Sequence, residues 1–278
     1  ANPLAARPPH QQHAPAKSVI FLFMAGGPSQ VETFDPKPLL NRLNGKPRPE
    51  SFGDAKYQFV KSDAKLLGTK RTFGKYGESG IEVSDLFPHL AKKVDDLAVI
   101  RSCYCDKVVH SAAQYELFSG RTFPGFPSMG SWLSYGLGSE NSNLPAYVVM
   151  HGTKPRGADP IWSSGFLPSV YQATAIDPRG AKPINNLQPP QELAGDPQRS
   201  LLDVLNAANS KHAEKRPFDR DLNARLESFE LAYRMQTSAP EAFDLAQEPD
   251  HIQEAYGLNR KESKDYGRQC LIARRLIE

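Results

Sequence analysis

The architecture turns on one stretch, Ser18-Val-Ile-Phe-Leu-Phe-Met-Ala-Gly-Gly27, in which seven apolar residues run without interruption and stop at a glycine pair. Continuous runs rich in β-branched and aromatic side chains are typical of strands buried on both faces, and such strands belong to parallel sheets covered by helices. A membrane-spanning helix needs about 20 apolar residues, so this run predicts no membrane span. The expectation is a first, central strand over residues 19–24.

On the N-terminal side, residues 1–17 hold four prolines and no apolar periodicity, which predicts a disordered arm. On the other side, residues 34–80 are broken by Asp35-Pro36, Asn44-Gly45, Gly74, Gly77 and Gly80 into a long irregular loop with room for a hairpin. Ser84-Asp85 then opens an apolar spacing of Leu86, Leu90 and Val94, which predicts a helix, and residues 97–100 read as a second short buried strand. Helices follow over 111–118 and 128–136, and a third strand over 145–150. A second irregular loop spans 152–199, with seven prolines from Pro155 to Pro190. Helices resume over 200–211, 220–236, 240–246 and 266–278. Strands alternating with helices predict an α/β fold with a single domain over 18–278. The last helix stops in mid-pattern without a C-cap glycine, so the chain is expected to be the N-terminal part of a longer, C-terminally truncated domain.

Composition narrows the function. The 278 residues carry 34 Lys and Arg against 31 Asp and Glu, a net charge of +3, which supplies no field for a nucleic-acid backbone. The three cysteines, Cys103, Cys105 and Cys270, are an odd number and lack a second pair at ligand spacing, so neither a disulfide framework nor a zinc ribbon is expected. They read as small apolar residues of a strand end and a helix. Tyr115, Phe118, Trp132 and Tyr135 fall at helical spacing and predict core positions.

The densest chemistry is Asp106-Lys107-Val-Val-His110-Ser111-Ala-Ala-Gln114, placed after the second predicted strand and at a helix start. Carboxyl ends of strands and helix N-termini are where open α/β sheets bind anions, so a Ser111 hydroxyl there can attack a phosphoryl or sulfuryl centre with His110 or a metal activating it. Ser111-x-x-Gln114 is equally a capping box. Gly26-Gly27-Pro28-Ser29-Gln30-x-Glu32-x-x-Asp35 follows the first predicted strand, and its carboxylates are candidate metal ligands, although Asp35 before Pro36 is also a common turn opener. Asn44-Gly45-Lys46 and Gly136-x-Gly138 lack the remaining glycines of nucleotide-binding loops. His89 reads as a core histidine, and His151 as a residue ending a strand.

The segments SVIFLFMAGGPSQVETFDP (18–36), GIEVSDLFPH (80–89), AVIRS (98–102), HSAAQYELFSG (110–120), PSMGSWLSYGLG (127–138) and SSGFLPSVY (163–171) resemble the bacterial secreted proteins grouped as domain of unknown function 1501, described as sulfatase-like and related to the alkaline phosphatases. The resemblance implies a three-layer α/β/α sandwich with a largely parallel sheet, and periplasmic or secreted location through a twin-arginine signal. It also implies hydrolysis of phosphate or sulfate esters, of small molecules or polysaccharides, with a divalent metal (zinc, calcium or magnesium). His110-Ser111-Ala112-Ala113 is similar to the phosphatase segment carrying the nucleophilic serine, with His110 in the place of an Asp. The site expected on this basis has Ser111 and His110 as catalytic residues and Asp35 and Asp106 as metal ligands. The alternative is a non-catalytic binding or surface-associated module that keeps the fold.

Overall fold

The computed structural model describes residues 3–7, 15–53, 60–152, 159–179, 184, 189–216 and 220–278. They form a mixed α/β structure in two compact units, one made of Leu22–Val108 and the other of Ala1–Phe21 with Val109–Glu278, where the sequence predicts one domain over 18–278.

The smaller unit is built on an antiparallel hairpin of β1 (Phe73–Tyr76) and β2 (Ile81–Ser84), in register from Phe73 opposite Ser84 to Tyr76 opposite Ile81. Its four-residue turn closes because Gly77 and Gly80 both take positive φ, 65° and 64°, which costs other residues strain. The turn is tied down by Asp95, whose carboxylate accepts the N–H of Ser79 at 2.9 Å and of Glu78 at 3.1 Å. Those bonds, Ser79 first, hold the Asp95 carboxyl below its ordinary range. Val83, Ala91 and Val94 are buried against Phe34, Ile81 and Phe87. The helix predicted after Ser84 is instead a 3-10 segment, Leu90–Asp96, with non-helical geometry at Lys93. So short a segment gains little from α-helix propagation, and its docking onto the hairpin sets its form. A short helix, α1 (Pro38–Arg42), precedes the hairpin.

The larger unit carries the parallel pairing. Strands β3 (Val148–Met150) and β4 (Thr174–Ile176) run side by side with Met150 opposite Ile176. Ile176, Met235, Phe243, Leu245, Leu271 and Ile272 form its core. They come from β4, from α5 (Arg220–Phe243) and the turn after it, and from α7 (Lys264–Ile277). Leu271 and Ile272 are fully buried, each stabilising by about 1.5–3 kcal/mol relative to exposure. Around this core lie α2 (His110–Ser119), α3 (Met129–Leu137), α4 (Asp196–Glu214) and α6 (Asp250–Ala255).

Four expectations are corrected. Residues 18–25 form no strand, and Val19, Leu22 and Met24 are exposed, 65 % in the case of Val19. A strand buried on both faces needs a paired neighbour on each edge, and among the described residues this run is in no ladder, so apolar content alone does not make it one. Residues 97–100 likewise form no strand, with Ile100 exposed. The described sheets are two pairs of strands, of which one is parallel. The buried face of α3 is made of Ser131 and Ser134, while Trp132 and Tyr135 are exposed and pack edge-on, at 6.0 Å between ring centroids. Ser131 Oγ donates to the Ser163 carbonyl at 3.1 Å, and this bond makes a serine tolerable there.

Within the predicted arm, Pro3–Arg7 is docked: Arg7 N–H donates to the Leu137 carbonyl at 2.8 Å, and the Tyr171 hydroxyl donates to the Pro3 carbonyl at 3.1 Å. Residues 8–14 of the arm, and residues 153–158, 180–183 and 185–188 of the loop predicted over 152–199, lie outside the described residues.

Candidate functional site

Helix α2 starts where Val109 leaves extended geometry (φ −95°, ψ 125°) and ends at Gly120 in the left-handed region. The N-cap is therefore Val109 and not Ser111, and no side chain caps this end, so the predicted capping box is not made. His110 and Ser111 stand together in the first turn, His110 exposed and Ser111 half-buried. An end without a side-chain cap leaves first-turn N–H groups and the positive end of the helix dipole to an anion.

The predicted metal ligands belong to the other unit. Asp35 follows the 3-10 turn Gln30–Glu32 and pairs with Lys37 Nζ at 2.8 Å. Glu32 faces Arg71 at 3.6 Å. Asp106 is exposed in an irregular segment that also carries exposed Cys103 and Cys105, which are therefore not in a strand end. Among the described residues no three His, Cys, Asp or Glu side chains gather as a metal ion requires, and Asp35 is already neutralised by Lys37.

The structure adds a second group of residues, at the carboxyl ends of the parallel pair. Because Met150 lies opposite Ile176, the next residues, His151 and Asp177, come out of the two strands at the same edge. His151 stacks on buried Trp162, with ring centroids 5.4 Å apart and planes 13° from parallel. Its Nδ1 is buried and has no hydrogen-bond partner among the described residues. Asp177 is held below the ordinary carboxylate range, first by the Arg179 guanidinium, with a small contribution from His151. From α7, half-buried Arg268 donates Nε–H to the Pro178 carbonyl at 2.6 Å. No carboxylate pairs with Arg268 among the described residues. The 3-10 turn Asp159–Trp162, which supplies Trp162, packs against α2.

Sequence reasoning named His151 as a strand end and a weak site candidate, and missed Asp177, Arg179, Trp162 and Arg268. The local signal for β4 was three residues, Thr174-Ala-Ile176, inside a proline-rich stretch. Arg268 had no local signal, since its place at this edge depends on α7 docking.

The chain belongs to the family described as protein of unknown function (DUF1501), whose pattern matches residues 16–278. No curated protein and no solved structure matches it.

Proposed function

We propose that this DUF1501 protein is sulfatase-like and alkaline-phosphatase-like, binding a phosphate or sulfate ester of a small molecule or polysaccharide and hydrolysing it. The observation that carries the reading is Arg268: a half-buried guanidinium without a carboxylate partner among the described residues, held on the Pro178 carbonyl at the strand edge from which His151 also emerges, a histidine whose buried Nδ1 has no partner among the same residues. An oxyanion ester supplies oxygens for the guanidinium, and a protonated or hydroxyl-bearing group of the same ligand supplies the partner for the imidazole. The first turn of α2 adds main-chain donors, with Ser111 as nucleophile and His110 as base. Ser111 Oγ attacks phosphorus or sulfur, its proton passes to His110, the ester oxygen leaves with its bonding electrons, and water then releases the anion from Ser111. No step in this scheme uses a metal. The three-layer sandwich and the periplasmic or secreted location belong to the same reading, and the parallel β3–β4 pair supports the first of them.

The exposed aromatic cluster favours the second reading, a non-catalytic binding module. Trp132, Tyr135 and Phe166 are all exposed, and Trp132 packs edge-on against Phe166 at 5.8 Å. Exposed apolar patches of this kind mark contact surfaces.

Calorimetric titration with inorganic phosphate and sulfate, together with aryl phosphate and aryl sulfate turnover, tests both readings. Binding weakened about tenfold or more in Arg268→Ala, with turnover in the parent, supports the hydrolase. Binding without turnover supports the module. No binding of either anion overturns the site.

A further inference from the structure

The orientation of α4 on its neighbour is the reverse of the usual one. Polar groups tie it to α5: Arg199, which also pairs with Asp203 one turn on in α4, donates to Glu230 at 2.9 Å, Asn206 donates to Glu230, and the Arg199 guanidinium lies over Tyr233 at 5.1 Å. Its apolar stripe faces outward, with Leu201 46 %, Val204 67 % and Leu205 40 % exposed, and exposed Ala208 continuing it. At about 100° per residue, His212 falls on this same outward face and Lys211 on its margin; Lys215 is the C-cap residue, still in right-handed helical geometry, and Arg216, just past the helix end, has its Nη1 2.8 Å from His212 Nε2. All four are exposed. The three carboxylates of the helix, Asp196, Asp203 and Glu214, fall on a common line roughly 150° away, on the side where Asp203 meets Arg199. The outward face is thus apolar at its centre, basic toward its C-terminal end and free of acidic side chains.

We propose that α4 is a peripheral membrane-docking helix that seats Leu201, Val204, Leu205 and Ala208 at the surface of an anionic lipid bilayer, with Lys211, Lys215 and Arg216 on the lipid headgroups. Charge selects this occupant. A second copy of the chain would offer the same face, which holds no carboxylate to meet the lysines. A protein partner usually centres on aromatic or arginine anchors seated in a pocket, and the centre of this face has only aliphatic side chains. A bilayer needs neither, since shallow aliphatic insertion and screened attraction to acidic lipid are sufficient for reversible binding. No described helix is long and apolar enough to cross a membrane, so the contact is one of lying on the surface.

The test is co-sedimentation of the whole chain with vesicles of equimolar phosphatidylcholine and phosphatidylserine, against vesicles of phosphatidylcholine alone. Binding is expected to the first and not the second, and to weaken as salt rises. Lys211→Glu with Lys215→Glu and Arg216→Glu is expected to weaken it by roughly 100-fold or more, and Val204→Ser with Leu201→Ser by roughly 10-fold or more. These positions are exposed, and unchanged circular dichroism will show that the variants fold. No vesicle binding, equal binding to both vesicles, or variants that bind like the parent would overturn the proposal. So would two other results removed by the same variants: a concentration-dependent dimer without vesicles, which would assign the face to a second copy, or capture of polyglutamate but not vesicles, which would assign it to an acidic protein.

Discussion

Arg275 closes over Glu248, its Nη1 donating to Oε1 at 2.6 Å, and its remaining guanidinium groups donate to the Ala242 and Glu241 carbonyls. Arg274 Nη2 takes the other carboxylate oxygen at 2.8 Å. α7 is thereby fastened to the end of α5 through a buried acid. Arg275, and then Arg274, hold the Glu248 carboxyl below its ordinary value of 4.5. A lowered folded-state pKa means that the stabilisation is present above the unfolded value and lost as pH falls through the folded one. Denaturant midpoints are expected to fall on acidification from about pH 7 to about pH 3.5. Glu248→Gln should lie below the parent at neutral pH, because two guanidinium groups lose their counter-charge, and should lose less on acidification. An identical acid dependence in parent and variant would show that this cluster contributes nothing.

Gly267 is buried in α7 with its Cα against the end of α6, and a Cβ there would overlap the Tyr256 carbonyl. Alanine normally favours a helix interior over glycine by about 1 kcal/mol. The overlap is with backbone, which cannot rotate aside, so packing outweighs propensity. Gly267→Ala is expected to destabilise by about 1–3 kcal/mol, read as a Tm lowered by several degrees in calorimetry. A raised Tm would mean that α6 and α7 are not in this contact.

The three thiols differ in surroundings. Cys103 and Cys105 are exposed, whereas Cys270 is half-buried in α7. Burial pushes the Cys270 thiol up, opposed in part by a hydrogen bond with Tyr266. Thiolate is the reactive form, so maleimide labelling followed by peptide mass spectrometry should give two fast adducts, at Cys103 and Cys105, and a slow one at Cys270. Equal rates at all three would remove Cys270 from the packed side of α7.

Helix ends were legible where they are written locally, although the break expected between 220–236 and 240–246 is absent, α5 running on through Pro240 to Phe243. Gly120 and Gly138 stop α2 and α3 at the residues where the sequence places the stops, and the apolar spacing around Leu271 marks α7. Strands were not, because pairing is non-local. The strongest apolar run, over 19–24, has no ladder partner among the described residues, while β4 is three residues that become a strand only opposite Val148–Met150. The site divides in the same way. His110 and Ser111 are adjacent in sequence and remain so on one helical turn. The grouping of His151, Asp177 and Arg268 rests on strand register and on the docking of α7.

Ser111 is where these two kinds of information meet. A serine capping α2 would cost about 1 kcal/mol on replacement by alanine, but the helix begins one residue earlier and its N-cap is Val109. Ser111→Ala is therefore expected to leave the denaturation midpoint within about 0.5 kcal/mol of the parent, as alanine suits a helix interior at least as well as serine. If Ser111 is the nucleophile, the same variant should lose several orders of magnitude in kcat for an aryl phosphate or sulfate. Its affinity for inorganic phosphate should stay near that of the parent, because Arg268 and the main-chain donors remain. Three measurements on one variant thus separate the roles. A stability loss near the cap value would restore the capping role, retained turnover would dismiss the nucleophile, and lost turnover with intact folding and anion binding would leave chemistry as the only function of this hydroxyl.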